Sequence, residues 1–155
     1  MTRILPAQRT DIPELIAIIG RVFEEYGWIF DAAEELPDLV DFDHYYVGTE
    51  HRLFTVWIDE QRVGCIAVKV GPEGPYLSRV YLKKEARGQG IGRMMTEFAF
   101  DEARKRGFTH IHLWTDTRLL TAHKMYEATG FTRMPVIRAL HEINISFEVR
   151  YDRDL

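Results

Sequence analysis

Three glycines at alternate positions, Gly88, Gly90 and Gly92, follow Arg87 in the run Arg87-Gly88-Gln89-Gly90-Ile91-Gly92. Residues of these types at this spacing suit the holding of an anion. Upstream lies Tyr76-Leu77-Ser78-Arg79-Val80-Tyr81-Leu82, rich in strand-favouring residues. Downstream, Ile91, Met94, Met95, Phe98 and Ala103 recur at helical spacing. The glycines therefore fall where a strand passes into a helix. There, unpaired backbone N–H groups and the positive end of the helix dipole both favour negative charge. Glycine has no side chain to keep a pyrophosphate from the backbone, and Arg87 and Arg93 add charged donors. A plain turn would also use glycines. The strand before and the helix after weigh for a ligand site.

Two familiar phosphate motifs fit poorly. A dinucleotide fingerprint reads G-x-G-x-x-G with an acid after the next strand. Asp116, behind Ile111-His112-Leu113-Trp114, could be that acid, but the third glycine comes one residue early. A P-loop needs Gly-Lys-Ser/Thr at the end of the loop, and none is present.

A third pattern matches. Arg87-x-x-Gly90-x-Gly92 resembles the Gln/Arg-x-x-Gly-x-Gly/Ala pyrophosphate motif of the GNAT superfamily of N-acetyltransferases, with Arg79-Val80-Tyr81-Leu82 similar to the strand before it. Further on, Ala122-His123-Lys124-Met125-Tyr126-Glu127-Ala128-Thr129-Gly130-Phe131 resembles that family's A-x-x-x-Y-E-x-x-G-F signature. The resemblance implies a GNAT-like acyl-CoA N-acyltransferase fold, a mixed but mostly antiparallel sheet flanked by helices, as one domain over residues 1–155. It also implies acetyl-CoA as cosubstrate. The pantetheine arm would run along the backbone of Val80, Tyr81 and Leu82. The pyrophosphate would sit on Gly88, Gln89, Gly90, Ile91, Gly92 and Arg93, with Arg87 alongside. Tyr126 matches the tyrosine that protonates the leaving thiolate, a role suited to an unperturbed phenol pKa of about 10.

Two positions depart from the family pattern. Many members carry an asparagine seven residues before the tyrosine, where this chain has Leu119, which cannot make that polar contact. A glutamate often opens the glycine-bearing strand, where this chain has Tyr76. No general base stands out, and Glu25, Asp116 and His141 are the candidates. The acceptor implied is a primary amine, of a small molecule or amino acid ahead of a protein N-terminus or lysine. By resemblance, the stretch between the first two helices shapes the acceptor site, and Glu24, Glu25 and Trp28 are its candidate residues. A chain that kept the cradle but lost turnover would instead be an acyl-CoA-binding sensor. A dinucleotide-binding oxidoreductase would have to prefer NAD.

The elements that must position these residues read as follows. Thr2 to Leu5 is a short strand, and Thr10 or Asp11 can cap a helix with Pro13 in its first turn. Leu15, Ile16, Ile18, Ile19, Val22 and Phe23 give that helix an apolar face. Residues 24–46 are irregular or weakly helical, with most of their aromatics suited to core packing. Residues 53–58 and 62–70 are strands around an Asp59-Glu60-Gln61 turn, and residues 71–75 form a second turn. The helix behind the glycines ends near Arg106-Gly107. Residues 109–115 follow as a parallel strand, and residues 119–128 as a helix stopped by Gly130. In the remainder, residues 143–151 alternate like a final strand. A meander followed by one βαβα unit is an α+β architecture.

Composition bounds the function. A length of 155 residues suits one domain with a real core, and a net charge of −4 offers no basic footprint for nucleic acid. Cys65 is the single cysteine and no apolar run approaches a membrane span, which together suggest a cytoplasmic protein with no membrane partner. The six histidines form no ligand spacing, so no metal is expected. The C-terminal strand could support a homodimer.

Overall fold

The computed structural model describes residues 1–155. Seven strands hydrogen-bond in one mixed sheet. They are β1 (Thr2–Pro6), β2 (Arg52–Ile58), β3 (Gln61–Gly71), β4 (Gly74–Leu82), β5 (His110–Asp116), β6 (Thr132–His141) and β7 (Ile145–Asp154). The order is β1-β2-β3-β4-β5-β7-β6, and the α+β class follows. Packing divides the chain into two compact units: Met1–Ala67 with Arg79–Ile91, and Val68–Ser78 with Gly92–Leu155.

The first unit is built around helix α1 (Ile12–Glu25). Its Ile12, Leu15, Ile18, Ile19, Val22 and Phe23 recur every three or four residues, and all are buried. Ile12, Leu15, Ile18, Ile19 and Phe23 pack with Leu36, Leu39, Tyr46, Leu53, Cys65 and Ala67 into one core. Burying each large aliphatic side chain stabilises the fold by about 1.5–3 kcal/mol. Asp11 occupies the position before α1, but its carboxylate makes no side-chain cap. It accepts the Gln8 N–H at 2.7 Å and Arg62 Nε at 2.7 Å instead, closing a 3₁₀ turn over Arg9–Asp11. β1 runs antiparallel to β2 in the register Thr2↔Ile58 to Pro6↔Phe54. The weakly helical stretch resolves into α2 (Ala32–Glu35), α3 (Pro37–Val40) and α4 (Phe42–Tyr46). Such short helices hold few hydrogen bonds of their own, so packing maintains them.

In the second unit, β4 pairs with β5 in parallel through Tyr76↔His112 and Leu77↔Leu113. β7 lies antiparallel to β5 from His110↔Asp154 to Asp116↔Glu148. Helix α5 (Ile91–Lys105) buries Met95, Ala99, Phe100 and Ala103 and ends before Gly107, whose φ of 84° makes the left-handed stop. Helix α6 (Leu120–Ala128) ends likewise before Gly130 at φ 96°.

β6 corrects the sequence reading, which left residues 132–141 without an element. The strand carries Pro135, which cannot donate to a ladder, and its register with β7 shifts between Arg133 and Ile137. It lies at the edge of the sheet and is exposed along most of its length, so it shows no clean alternation.

Candidate active site

The glycine loop forms as its residue types require. After β4, a 3₁₀ turn over Lys84–Ala86 is tied back by Lys83 N–H to Val63 O at 2.7 Å. Arg87 is extended, Gly88 and Gly90 take φ of 76° and 79°, and α5 starts at Ile91. Nothing lies within 4 Å of where a Cβ would stand on either glycine. Dihedral angle, not crowding, therefore demands glycine here, and the space beside the loop is open. The first turn of α5 holds no acidic residue, while Arg93 adds a positive one. The amides at this helix start remain uncompensated by any side-chain carboxylate of the turn.

Arg87 is occupied. Its Nε donates to Leu82 O at 3.0 Å, and its two terminal nitrogens fork onto Glu25 at 2.7 and 3.0 Å. Two residues assigned from sequence to different partners, the cofactor and the acceptor, thus meet each other. Beside them a cavity of about 280 Å³ is lined by Ile18, Arg21, Val22, Glu24, Glu25, Lys83, Lys84 and Glu85. It contains two of the three acceptor candidates. Trp28 lies elsewhere, stacked on Tyr26 with ring centroids 4.5 Å apart and set edge-on to Phe23 at 5.6 Å.

The strand carrying Val80, Tyr81 and Leu82 is shaped from both sides. A Cβ on Gly64 would come 2.2 Å from Tyr81 O, so only glycine lets β3 pass this close. Immediately before, Arg79 takes a φ of 53°, a left-handed conformation that costs a non-glycine residue about 1–3 kcal/mol. Its guanidinium reaches Asp38 on α3, with Nε at 3.1 and 3.3 Å and a terminal nitrogen at 2.7 Å. Asp38 is 2% exposed and also accepts the Tyr46 hydroxyl. Burial raises the Tyr46 phenol well above its ordinary value, and the Asp38 charge adds to the rise. Cys65 donates its thiol to Arg79 O at 3.2 Å, and burial pushes that thiol up to about 12. A protonated, enclosed sulfur is a poor nucleophile.

In the second unit, the hydroxyl of Thr96 donates to Gly92 O at 2.8 Å, and its oxygen lies 3.2 Å from the Met125 sulfur. Met125 thereby fixes α6 against the first turn of α5, and Tyr126 follows it in sequence. Tyr126 is 6% exposed, edge-on to Phe131 at 5.7 Å and near Tyr151 at 6.2 Å. Leu119 stands just before α6 and makes no side-chain cap.

Two of the three base candidates are engaged by arginines. Glu25 is held by Arg87. Asp116 takes three hydrogen bonds from Arg118, at 2.7 to 2.9 Å, and these bonds lower its carboxyl against the opposing push of burial. His141 is exposed at the end of β6. Tyr76 lies beside His112, with ring centroids 5.5 Å apart. Burial first, and then Arg150, lowers the His112 imidazole below its ordinary value, and no hydrogen bond reaches its buried Nδ1. No group of three His, Cys, Asp or Glu is placed to hold a metal ion, and no helix is long and apolar enough to cross a membrane.

Sequence reasoning missed the Asp38–Arg79 pair. A signal existed on one side only: Arg79 alternates with Leu77 and Tyr81, so a cation stood on the inward face of a strand.

Comparison with known proteins decides the family. Residues 19–131 match the Acetyltransferase (GNAT) family, a span that includes both the glycine loop and Tyr126. The chain belongs to this family. It is an acetyl-CoA-dependent N-acetyltransferase of the GNAT superfamily. Over 152 residues it is 30% identical to the Xenopus laevis protein named "Probable N-acetyltransferase camello", covering 93% of this chain and 68% of that one. The fold matches a GNAT acetyltransferase from Staphylococcus aureus Mu50 with a TM-score of 0.84 at 20% identity, over 100% of this chain and 99% of that one. It also matches the Salmonella typhimurium protein yncA, solved with its cofactor acetyl-CoA, with a TM-score of 0.77 at 14% identity, over 99% and 94% of the two chains.

Proposed function

We propose that this acetyltransferase moves the acetyl group of acetyl-CoA directly to the primary amine of a small molecule or amino acid. The observation that carries the reading is the start of α5. Two left-handed glycines open onto clear space before a first turn that has an arginine and no acid. Gly88, Gln89, Gly90, Ile91, Gly92 and Arg93 would hold the pyrophosphate through backbone amides and the Arg93 charge. Arg87 would serve mainly through its backbone, since its side chain already bridges Leu82 and Glu25. Val80, Tyr81 and Leu82 would bind the pantetheine arm through their backbone as an added strand does. Acetyl-CoA supplies the acetyl group as a thioester.

The chain's own task is then threefold. Backbone N–H groups near Val80 polarise the thioester carbonyl, which gains negative charge as the amine attacks. The loop and strand fix the acyl carbon for the attacking nitrogen. Tyr126 gives its hydroxyl proton to the departing sulfur. The amine loses its own proton to a base or to water. Glu24, which lines the 280 Å³ cavity, would supply a carboxylate for a cationic acceptor, while Glu25 beside it is engaged by Arg87, and this is the basis for favouring a small amine.

Free-thiol release from acetyl-CoA, measured across amino acids, polyamines, aminoglycosides and peptides, tests the reading. One acceptor class should raise release well above background. With that acceptor, Tyr126→Phe should lower kcat by about 100-fold or more, the range of general acid catalysis. A Tyr126→Phe enzyme with unchanged kcat would remove Tyr126 from the chemistry. Release driven only by peptides would move the acceptor to protein amines.

A further inference from the structure

β4 changes character at Arg79. Before it, Tyr76 and Leu77 are in register with β5; at it, the backbone turns left-handed at φ 53°; after it come Val80, Tyr81 and Leu82. A residue with a large side chain is an unusual choice for that dihedral, which glycine adopts freely. The side chain explains the choice. Its guanidinium runs inward and forks onto Asp38, whose carboxylate is only 2% exposed. Tyr46 from α4 donates to the same carboxylate, and the carbonyl of Arg79 accepts the Cys65 thiol.

Two costs therefore meet at one residue, a strained backbone and a buried charge pair. Apolar residues of similar size often stabilise a core as well as a buried ion pair does, so stability alone does not account for the arrangement. What an ion pair adds is direction. The fork fixes both the distance and the plane of the guanidinium against the carboxylate, and so fixes where the kinked peptide points. The residues it points are those just downstream.

We propose that Arg79 and Asp38 form a positioning pair that holds the kink of β4 and so aims the backbone of Val80, Tyr81 and Leu82 at acetyl-CoA. The inference rests on the assignment of those three residues to the pantetheine arm. Arg79 touches no reacting atom and acts through the strand that follows it. Tyr46 steadies Asp38 from the other side, so one carboxylate ties α3 and α4 to this strand.

The test uses the whole chain with Asp38→Asn and Arg79→Gly combined. Glycine permits the left-handed dihedral and asparagine keeps an acceptor for Tyr46, while both charges and the tether are gone. Circular dichroism and urea unfolding establish that the variant is folded, and calorimetric titration gives the acetyl-CoA Kd. The expected result is a folded protein whose Kd and KM for acetyl-CoA rise at least tenfold, with kcat at saturation falling less than threefold. A folded double variant that binds acetyl-CoA within twofold of wild type would overturn the proposal and leave the pair a stabilising feature only. Should the double variant not fold, Asp38→Asn alone keeps Arg79 and its dihedral. A several-fold weaker Kd supports the positioning role, and an unchanged Kd overturns it. If the wild-type chain itself fails to bind acetyl-CoA in the same titration, the pantetheine assignment falls and this proposal falls with it.

Discussion

Arg79 and Arg87 flank the Val80–Leu82 segment, and each forks onto a carboxylate from the helical half of the same unit, Asp38 on α3 and Glu25 on α1. The chemistry of the two pairs is the same, but their surroundings differ. Arg79 and Asp38 are 19% and 2% exposed, whereas Arg87 and Glu25 are 36% and 27% exposed. The buried pair cannot be partly broken without leaving a charge in the core. Water and salt can replace either partner of the outer one at small cost. One end of the segment is thereby clamped and the other end tethered. A strand proposed to hold the pantetheine arm in one register, next to a loop proposed to accept the pyrophosphate, has use for both.

The difference predicts a graded set of responses. Arg79→Ala removes the partner of a buried carboxylate and should lower stability by about 3–5 kcal/mol, read as a drop in the urea midpoint. A loss below about 1 kcal/mol would mean that Asp38 is solvated or protonated in the fold and that the two pairs are alike. Gly90→Ala lies between them. Its methyl meets no atom, but the left-handed dihedral should cost about 1–2 kcal/mol and weaken acetyl-CoA binding. A stable Gly90→Ala protein would show that the loop can relax. Glu25→Ala should cost less than about 1 kcal/mol, and the cost should shrink further as salt is raised. If it instead matched Arg79→Ala, the outer pair would be as rigid as the inner.

The same contrast shows which parts could be read in the sequence. The glycine loop was legible because its signal is local: alternate glycines lie between a strand-like and a helical run, and the left-handed dihedrals of Gly88 and Gly90 add the reason for glycine there. Helices α1, α5 and α6 and six of the strands were legible from periodicity and from glycine stops. Tyr126 could be named but not surrounded, since Phe131 and Tyr151 reach it through tertiary packing. The Asp38–Arg79 pair joins residues 41 positions apart, and Asp38 sits among many other carboxylates, so no local pattern singles it out. The Glu25–Arg87 pair spans 62 positions and was invisible for the same reason. β6 escaped because an exposed edge strand with a proline and a register shift carries neither alternation nor an apolar run. Local dihedral demands survive in a sequence; long-range charge pairing does not.

Amide shifts in a 15N-labelled sample titrated with acetyl-CoA test the central assignment most directly, because the account places the ligand on backbone N–H groups. The largest shifts should fall on Gly88, Gly90, Ile91, Gly92 and Arg93, followed by Val80, Tyr81 and Leu82. Shifts that leave both groups unmoved while clustering elsewhere in the chain would contradict it.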